Sequence, residues 1–358
     1  MNKTLYCAIS FHGYGHIAQT IPVLEKLNEV RPDVRLVIQC AAPRALLDAG
    51  LEFGFEHIEV ETDFGMVMKN ALDVDIEASH RRYSSVHKDW DTTIKRAAGL
   101  LESVRPAAVF SNISYTVNAA ADRLSIPVIN MCSLSWVDIY KAYCAHYPGA
   151  TGIIGQMKEA YNKAEVFLGL TPGMPMTELA NVRKIATVAR TGVDRSGWIR
   201  EKTGLASSAR LVLISYGGVG LPMDFNCWPR LEDVIYIVAS KDITTREDFI
   251  SIESVGVNYI DILASCDVVI TKPGYGMFAE SACNGIPVLY TRRPGWPEES
   301  YLVEWLKANA VCDELSRDDL QGGNISEAVQ GVMSRERHNI VRAEGTMQAV
   351  DELCRLLD

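Results

Sequence analysis

The chain has 358 residues, is 48% hydrophobic and 22% charged, and carries a formal net charge of −10. This length exceeds what one hydrophobic core usually spans, so the chain is expected to form two globular domains. The net negative charge and the lack of a dense Lys/Arg stripe disfavour nucleic-acid binding, and no apolar run reaches the roughly 18 residues of a transmembrane helix.

The N-terminus and the cysteines predict a cytoplasmic protein. The first residues, MNKTLYCAIS, enter a predicted strand without the apolar core and cleavage site of a signal peptide. The nine cysteines are odd in number and show no CxxC spacing. Most of them have apolar neighbours, which is typical of reduced, buried thiols.

Short β-rich runs alternate with helical segments through both halves of the chain. The predicted strands are 5–10, 35–40, 55–60, 107–112 and 127–132, followed by 210–217, 234–240, 267–271 and 287–291. Because these runs are apolar without strict alternation, they predict strands covered on both faces, as in parallel sheets. The expected fold class is α/β, with two Rossmann-like, doubly wound domains facing a ligand-binding cleft.

Pro/Gly clusters and the end of the strand pattern predict the domain boundaries. We expect an N-terminal domain over 1–165, an interdomain linker over 166–195 and a C-terminal domain over 196–338. The remaining segment, 339–358, has apolar residues at helical spacing. It predicts a final helix that can return to the N-terminal domain.

The segment after the first strand, FHGYGHIAQ, predicts a tight turn that opens a helix. Gly13 and Gly15 permit the turn, and His16 then lies near the helix N-terminus. The helix dipole there disfavours an imidazolium, so His16 is expected to stay neutral and able to accept a proton, as a general base must. A capping histidine in a plain turn is an equally good interpretation. His12 precedes the turn and can line the cleft or pack in the core.

The stretch 266–301 is the most informative one for ligand chemistry. A buried strand leads into a loop with Lys272, Gly274 and Gly276, and the loop opens a helix. A cation and free amides at a helix N-terminus favour phosphate. Nearby carboxylates suit hydroxyl-rich ligands, so the stretch predicts a sugar nucleotide, against the alternative of solvated surface side chains. These carboxylates are Glu280, Glu298 and Glu299.

Two weaker signals complete the predicted site. Gly217, Gly218 and Gly220 follow the first strand of the second domain and let backbone amides approach a ligand, although a plain turn has the same glycines. Aromatic and hydroxyl side chains past the fifth strand can contact an acceptor or pack in the core; they are Ser135, Trp136 and Tyr140. No metal-ligand spacing is present.

These motifs together resemble metal-independent, inverting glycosyltransferases of the GT-B type, with features of families 1 and 28. The plant small-molecule UDP-glycosyltransferases belong to this group, and the glycosyltransferase-like N-terminal region of plant arabinose kinase and its bacterial relatives looks most similar. The resemblance covers nearly the whole chain. It rests on HGYGH (12–16), DFGMVMKNALDVD (63–75), SNISY (111–115), LSWVDIYKAY (134–143), ISYGGVG, CDVVITKPGYGMFAE and RRPGWPEESYL.

The resemblance implies a role for each matching residue. His16 matches the catalytic base, and Asn112 stands about where an aspartate orients that base in the plant enzymes. Lys272 matches a phosphate-binding histidine, and Glu280 the glutamate that grips the ribose. The implied donor-binding residues are Gly217, Gly218, Val257, Tyr259, Lys272, Gly274, Gly276, Met277, Glu280, Glu298 and Glu299, and the implied acceptor-binding residues are His12, Ser135, Trp136 and Tyr140.

Two departures from the family pattern bear on catalysis. Asn112 can fix the tautomer of His16 but supplies no charge to an imidazolium, and Asp138 is a candidate substitute. Glu299 replaces a glutamine and, when ionised, cannot donate a hydrogen bond.

The sequence therefore predicts a glycosyltransferase that moves a sugar from a nucleotide diphosphate sugar, with a UDP-sugar favoured, to a small-molecule or glycan acceptor with inversion. No cofactor and no metal are expected. A nucleotide-sugar hydrolase on the same fold and a non-catalytic sugar-nucleotide-binding protein are the alternatives. The acceptor and the oligomeric state stay open.

Overall fold

Two separate parallel β-sheets form the framework of the protein. The computed structural model describes residues 3–218, 221, 223–239, 246–336 and 340–358. Gly220, one of the predicted turn glycines, lies outside the described residues. Both sheets are flanked by helices, as the two-domain α/β prediction requires, so the predicted fold class is confirmed.

The first sheet has seven strands in the order β3-β2-β1-β4-β5-β6-β7, and every pair in it is parallel. Its central strands are almost entirely buried, which is why they are apolar on both faces. The bounds are β1 Thr4–Ile9, β2 Arg35–Gln39, β3 Glu56–Ile58, β4 Ala108–Asn112, β5 Val128–Cys132, β6 Val166–Gly169 and β7 Val182–Lys184.

Seven helices surround this sheet, and side chains cap four of them. Asp75, Asp89, Ser114 and Ser135 each accept a hydrogen bond from a backbone N–H in the first turn. The helices are α1 Gly15–Val30, α2 Arg44–Asp48, α3 Ile76–Lys88, α4 Trp90–Val104, α5 Tyr115–Arg123, α6 Trp136–Cys144 and α7 Ala150–Asn162.

The second sheet has six parallel strands in the order β10-β9-β8-β11-β12-β13. Its strands are β8 Arg210–Ser215, β9 Val234–Val238, β10 Phe249–Ser251, β11 Val268–Thr271, β12 Val288–Tyr290 and β13 Cys312–Glu314. The helices around it are α8 Ser196–Thr203, α9 Ile252–Val255, α10 Tyr259–Ser265, α11 Tyr275–Asn284, α12 Glu299–Asn309, α13 Arg317–Gly322 and α14 Ser326–Met333.

The segment 166–195, expected to be a linker, supplies two strands of the first sheet. Strand β6 pairs with β5 and strand β7 with β6. Val166–Gly169 is an apolar run that is covered in the sheet, whereas Val182–Lys184 is a short, charged edge strand of the kind that protects a sheet from further pairing. The connection between the sheets therefore begins after Lys184.

The last helix, α15 (Gly345–Leu357), leaves the second sheet and packs on the first domain. It contacts α1, β4 and β5 through a buried face. Gly345 approaches the connection so closely that a Cβ atom there would lie 2.1 Å from the Ala186 carbonyl oxygen. Helix α15 thus packs against α1, the helix that contains His16.

The two domains also contact each other directly, in part through α1 and α11 and in part through a hairpin of the first domain. Helix α11 packs on α1, and a Cβ atom on Gly276 would lie 3.0 Å from Cβ of Ala18. A short hairpin over residues 67–75, here called the finger, extends from the first domain, with Met68 and Val74 bridged in antiparallel fashion. The finger tip, Ala71 and Leu72, is buried among apolar side chains of the second domain.

None of the helices within the described ranges combines the length and the hydropathy that crossing a bilayer would require.

The close approach at Gly345 predicts a clear stability difference between two glycine substitutions. Gly345→Ala should lower the free energy of unfolding by about 1–3 kcal/mol, because the added methyl group meets backbone atoms that cannot yield. Gly331→Ala, inside α14 with open space around it, should instead raise the free energy of unfolding by up to about 1 kcal/mol. Urea denaturation measures both, and equal stability of the two variants would contradict the packing described.

Candidate active site

The predicted site residues gather where the strand order reverses in each sheet. In the first sheet the turn after β1 and the end of β4 lie side by side, because Ile9 is paired with Asn112. In the second sheet the segments after β8 and β11 are neighbours, because Ser215 is paired with Thr271. Such carboxyl-end switch points are where ligands bind in open α/β sheets.

His16 and Asn112 form a direct hydrogen bond at the first switch point. The distance from His16 Nδ1 to Asn112 Oδ1 is 2.7 Å, and Asn112 Nδ2 donates to Gln19 Oε1 at 3.1 Å. The second bond orients the amide so that its carbonyl oxygen faces the imidazole, and a carbonyl oxygen only accepts. Nδ1 of His16 therefore carries the proton, and Nε2 is left as the acceptor.

Burial holds His16 in the neutral form. His16 is 5% exposed, and desolvation lowers its pKa to about 4, against a smaller opposing effect of the bond from Asn112. At neutral pH the ring can accept a proton, as a general base must. Asp138, the candidate substitute for the missing aspartate, is instead hydrogen-bonded by Ser135 at the start of α6.

Lys272 lies at the second switch point, between β11 and the N-terminus of α11. Its Nζ donates to the backbone carbonyl of Ala71 in the finger at 3.1 Å. Desolvation first, and the nearby Arg293 second, lower the pKa of Lys272 to about 7. Within the described residues no carboxylate forms an ion pair with this ammonium.

Arg293 is a buried cation beside the half-buried Lys272, and sequence reasoning did not identify it. Its guanidinium lies 3.6 Å from the ring centroid of Trp296, and Nη2 is 3.3 Å from Met68 Sδ. Nε has no hydrogen-bonding partner among the described residues, and Arg293 is only 6% exposed. Desolvation lowers the pKa of Arg293 to about 10, so it stays charged at neutral pH.

Lys272 and Arg293 are two desolvated cations, and neither forms an ion pair with a carboxylate in the described structure. Removing a charge from water costs several kcal/mol unless an opposite charge or hydrogen bonds replace the lost solvation. Here the charge of Arg293 lowers the pKa of Lys272, and both cations also lower the pKa of His12. The start of α11, just after Lys272, adds backbone N–H groups that favour an anion at the same place.

The three predicted carboxylates differ in their partners. Glu280 is buried and accepts a 2.8 Å hydrogen bond from Arg190 Nε, within an ion pair. Glu299 accepts from the side chain of Arg292 and from the backbone N–H of Arg293, so it ties the loop to the start of α12. It is engaged within the protein.

Glu298 keeps one carboxyl oxygen without a partner. Trp296 Nε1 donates to Oε2 at 3.1 Å, while Oε1 has no hydrogen bond within the described chain, although the Ser133 hydroxyl lies close to the carboxyl. Burial raises the pKa of Glu298, and Ser133 and Trp296 partly oppose that rise. Of the three glutamates, Glu298 thus has the clearest unused acceptor.

The predicted donor-side glycines lie in two turns. Gly217 has φ +77°, which favours glycine, and a Cβ atom there would lie 4.0 Å from Cε of Lys272. A Cβ atom on Gly218 would meet the Tyr14 ring at 3.1 Å, so that ring covers this turn. Gly274 is the N-cap of α11, where added atoms would meet no close neighbour.

The remaining donor-side residues lie at the edge of an apolar cluster that is shared by both domains. Tyr259 begins α10, and its hydroxyl donates to Ser215 Oγ at 2.8 Å and lies 3.2 Å from Met277 Sδ. Val257 and Met277 are partly buried and pack against the apolar cluster. These side chains line the region between β8 and α11.

The predicted acceptor-side residues separate into two groups. His12 stacks on Trp296 across the cleft at 5.9 Å, and Trp136 packs its edge against His12 and lies 5.4 Å from the His16 ring. Ser135 is the N-cap of α6, and Tyr140 is a buried side chain bonded to His80. The structure therefore brings His12 and Trp136 to the candidate base, whereas Ser135 and Tyr140 have structural partners.

Asp63 is a further buried carboxyl near this group that the sequence did not single out. It accepts a hydrogen bond from the Ser10 hydroxyl, while its Oδ2 has no partner among the described residues. Desolvation raises its pKa to about 7.

Comparisons with known proteins agree with the fold. No protein-family model matches the chain. The chain is 25% identical over 345 residues to L-arabinokinase of Arabidopsis thaliana, an alignment that covers 91% of this chain and 32% of that protein. The chain thus spans about a third of the length of this relative.

Solved glycosyltransferase structures share the fold along nearly the whole chain. The glycotransferase of kitacinnamycin aligns with a TM-score of 0.67, 14% identity and 99% coverage of both chains. Arabidopsis thaliana UGT89C1 complexed with UDP aligns with a TM-score of 0.62 and 11% identity, over 99% of this chain and 100% of that one. Glycosyltransferase VinC in complex with dTDP aligns with a TM-score of 0.58 and 12% identity, over 99% of this chain and 95% of that one. The chain has the GT-B fold, which confirms the resemblance inferred from its motifs.

The His16–Asn112 bond leads to a prediction about charge. Asn112→Asp should raise the pKa of His16 from about 4 by roughly 1–3 units, because a carboxylate stabilises the imidazolium. NMR titration of the His16 ring measures the shift.

Asn162→Asp is the matched control, since Asn162 lies at the end of α7 and bonds the Ala180 amide instead. An unchanged His16 pKa in Asn112→Asp, or an equal rise in the control, would contradict the assigned contact.

Proposed function

We propose that this protein is an inverting glycosyltransferase that uses a nucleotide diphosphate sugar, with a UDP-sugar as the favoured donor. The observation that carries the proposal is the pair of desolvated cations beside the N-terminus of α11, the half-buried Lys272 and the buried Arg293, neither of which forms an ion pair with a carboxylate of the described structure. A diphosphate supplies the negative charge and the several acceptor oxygens that this arrangement lacks. The shared fold with glycosyltransferases, two of them solved with UDP or dTDP, supports this assignment.

In the proposed reaction His16 acts on the acceptor. Its Nε2 takes the proton of an acceptor hydroxyl or amine while that oxygen or nitrogen attacks the anomeric carbon. The bond between the anomeric carbon and the diphosphate oxygen breaks, and its electron pair leaves with the diphosphate. Attack from the face opposite the leaving group inverts the anomeric centre.

The departing diphosphate gains charge, and Lys272 and Arg293 are placed to stabilise it. Preorganised donors of this kind contribute roughly 3 kcal/mol each to the transition state. Two fixed cations and a helix N-terminus can serve without a metal, so we also propose metal-independent transfer. A cytoplasmic location remains part of the same prediction.

The glutamates are proposed to read the hydroxyl groups of the donor. Glu280 would accept from the ribose and share its carboxylate with Arg190, while the unpaired oxygen of Glu298 would accept from the transferred sugar. The half-buried ring of His12, which packs against the fully buried Trp136, would offer the acceptor apolar surface next to His16. A small-molecule or glycan acceptor fits these features.

The low pKa of Lys272 predicts proton uptake when the donor binds. At pH 8 an ammonium with a pKa of about 7 is mostly neutral, and a bound diphosphate raises that pKa, so UDP binding should take up close to one proton. Calorimetric titration in buffers of different ionisation enthalpy measures this number.

Two variants make the proton count specific to this residue. Lys272→Arg, which stays charged in both states, should bind UDP with almost no uptake, and Lys272→Met should bind it at least tenfold more weakly. Wild-type binding without uptake at pH 8 would argue against Lys272 as the diphosphate ligand.

The role of His16 predicts a loss of turnover without a loss of donor binding. His16→Ala should reduce kcat by roughly 10²- to 10⁴-fold, the usual contribution of a general base, while its UDP affinity stays within about threefold of wild type. His57→Ala is the control, because His57 bonds the Cys40 carbonyl away from the cleft. Undiminished turnover in His16→Ala would overturn the mechanism.

The same assay separates the two alternatives. Products are analysed with and without acceptor candidates, using UDP-sugars as donors. Free sugar formed without any acceptor would identify a nucleotide-sugar hydrolase. Tight UDP binding with no product under any acceptor would instead identify a binding protein, in which Asn112 leaves His16 without catalytic use.

A further inference from the structure

The finger is a segment of the first domain that reaches the proposed diphosphate site and contacts both of its cations. It is a rigid hairpin: Lys69 N–H donates to the Asp73 carbonyl, and Asp75 N–H to the Val67 carbonyl, both at 2.8 Å. Asn70 Oδ1 closes the turn by accepting from the backbone N–H groups of Leu72 and Asp73. The base of the hairpin is held at α3, where the Ser79 hydroxyl accepts from Val67 N–H.

The finger tip is embedded in the second domain. Ala71 and Leu72 are 0% and 2% exposed, and they belong to the apolar cluster that contains residues of β8, β9 and β11. Below the tip, Asp73 forms an ion pair with Arg317 of the second domain at 3.2 Å. The finger therefore has an apolar anchor and an ionic anchor on the domain that carries Lys272.

The finger contacts both cations with neutral acceptors. The Ala71 carbonyl oxygen accepts one of the three ammonium protons of Lys272, and the Met68 thioether lies against Nη2 of Arg293. A carbonyl dipole or a thioether orients a cation without cancelling its charge. The finger's nearby carboxylate, on Asp73, is instead paired with Arg317, so neither cation forms an ion pair with the finger, and Arg293 Nε keeps an unused donor.

We propose that the finger is a positioning element of the donor site, which orients Lys272 and Arg293 for the diphosphate only while it is docked on the second domain. This inference rests on the proposed function for the identity of the anion. Because docking and anion binding then favour the same arrangement of the domains, each strengthens the other to the same extent. The finger would couple donor binding to closure of the acceptor domain.

The first test loosens the ionic anchor with Asp73→Asn and measures UDP binding by calorimetry. Asp73 also lies near enough to Arg293 to stabilise its charge, so losing the carboxylate by electrostatics alone would strengthen anion binding. Loss of positioning would change the affinity in the opposite direction. We therefore expect UDP binding to weaken roughly two- to fivefold, as for loss of a half-exposed ion pair.

Glu61→Gln is the matched control, because it breaks the exposed ion pair with Arg82 inside the first domain. It should leave UDP affinity unchanged. The charge-exchanged pair Asp73→Arg with Arg317→Asp should restore much of the affinity lost in Asp73→Asn, which a general loss of stability would not allow.

A second variant, Leu72→Asp, removes the apolar anchor by placing a charge in the buried contact. It should weaken UDP binding at least tenfold while thermal unfolding and circular dichroism show a folded chain. Unchanged affinity in both variants would overturn the proposal. Tighter binding would overturn it as well, since the finger would then be a plug that competes with the diphosphate.

These outcomes are separable from those of the proposed function. Binding of UDP is measured without turnover, so a wild-type protein that binds UDP and forms no product would overturn the transferase and leave the finger test decisive. A wild-type protein that binds neither UDP nor inorganic pyrophosphate would overturn the diphosphate site and the finger proposal together. Normal UDP binding by the wild type, together with unchanged UDP affinity in the finger variants, would overturn the finger proposal alone.

Discussion

Two basic side chains, Lys272 and Arg293, are held between the domains, where desolvation lowers the pKa of both and neither forms an ion pair with a carboxylate of the described structure. Their desolvation is unfavourable for the unliganded protein, and folding must offset it elsewhere. The offset comes from the apolar contacts around them, including the buried finger tip and the stacked rings of Trp296 and His12. Such a local loss of stability, which a bound anion would relieve, is common at functional sites.

The same constraint explains why the two domains meet where they do. The cations follow β11 and β12, and His16 follows β1, so each domain contributes the carboxyl ends of its central strands to one cleft. Gly276 lets α11 approach α1 closely, which brings the N-terminus of α11 near that of α1. His16 of the first domain and the two cations of the second domain thus lie at the same interface, linked by the stacked rings of His12 and Trp296.

Much of this arrangement is visible in the sequence, for identifiable physical reasons. Apolar runs without strict alternation indicate strands that are covered on both faces. The central strands of both sheets could therefore be predicted. The glycine-rich turn before His16 and the loop at Lys272 were also predictable, because only a few residue types permit such turns at helix starts. The fold follows from these local signals.

Other features depend on contacts between distant residues and leave no local signal. The Pro/Gly cluster between β6 and β7 suggested a linker, although both flanking segments are strands of the first sheet. The partner of Glu280 is Arg190, which lies ninety positions away in the sequence. Arg293 stands next to Arg292 in sequence, yet one is buried over Trp296 and the other is paired with Glu299. Ser135 and Tyr140 could not be told from acceptor ligands, since capping and core packing use the same residue types.

The return of α15 to the first domain has a consequence for biosynthesis. Seven strands of that domain are complete by Lys184, but the helix that covers α1 and β5 begins at Gly345. At about 5–20 residues per second a ribosome needs roughly ten to thirty seconds to supply the intervening chain. During that interval the nascent first domain exposes the apolar surface that Val350, Leu353 and Leu357 later bury, so its folding is completed only after the second domain has been synthesised.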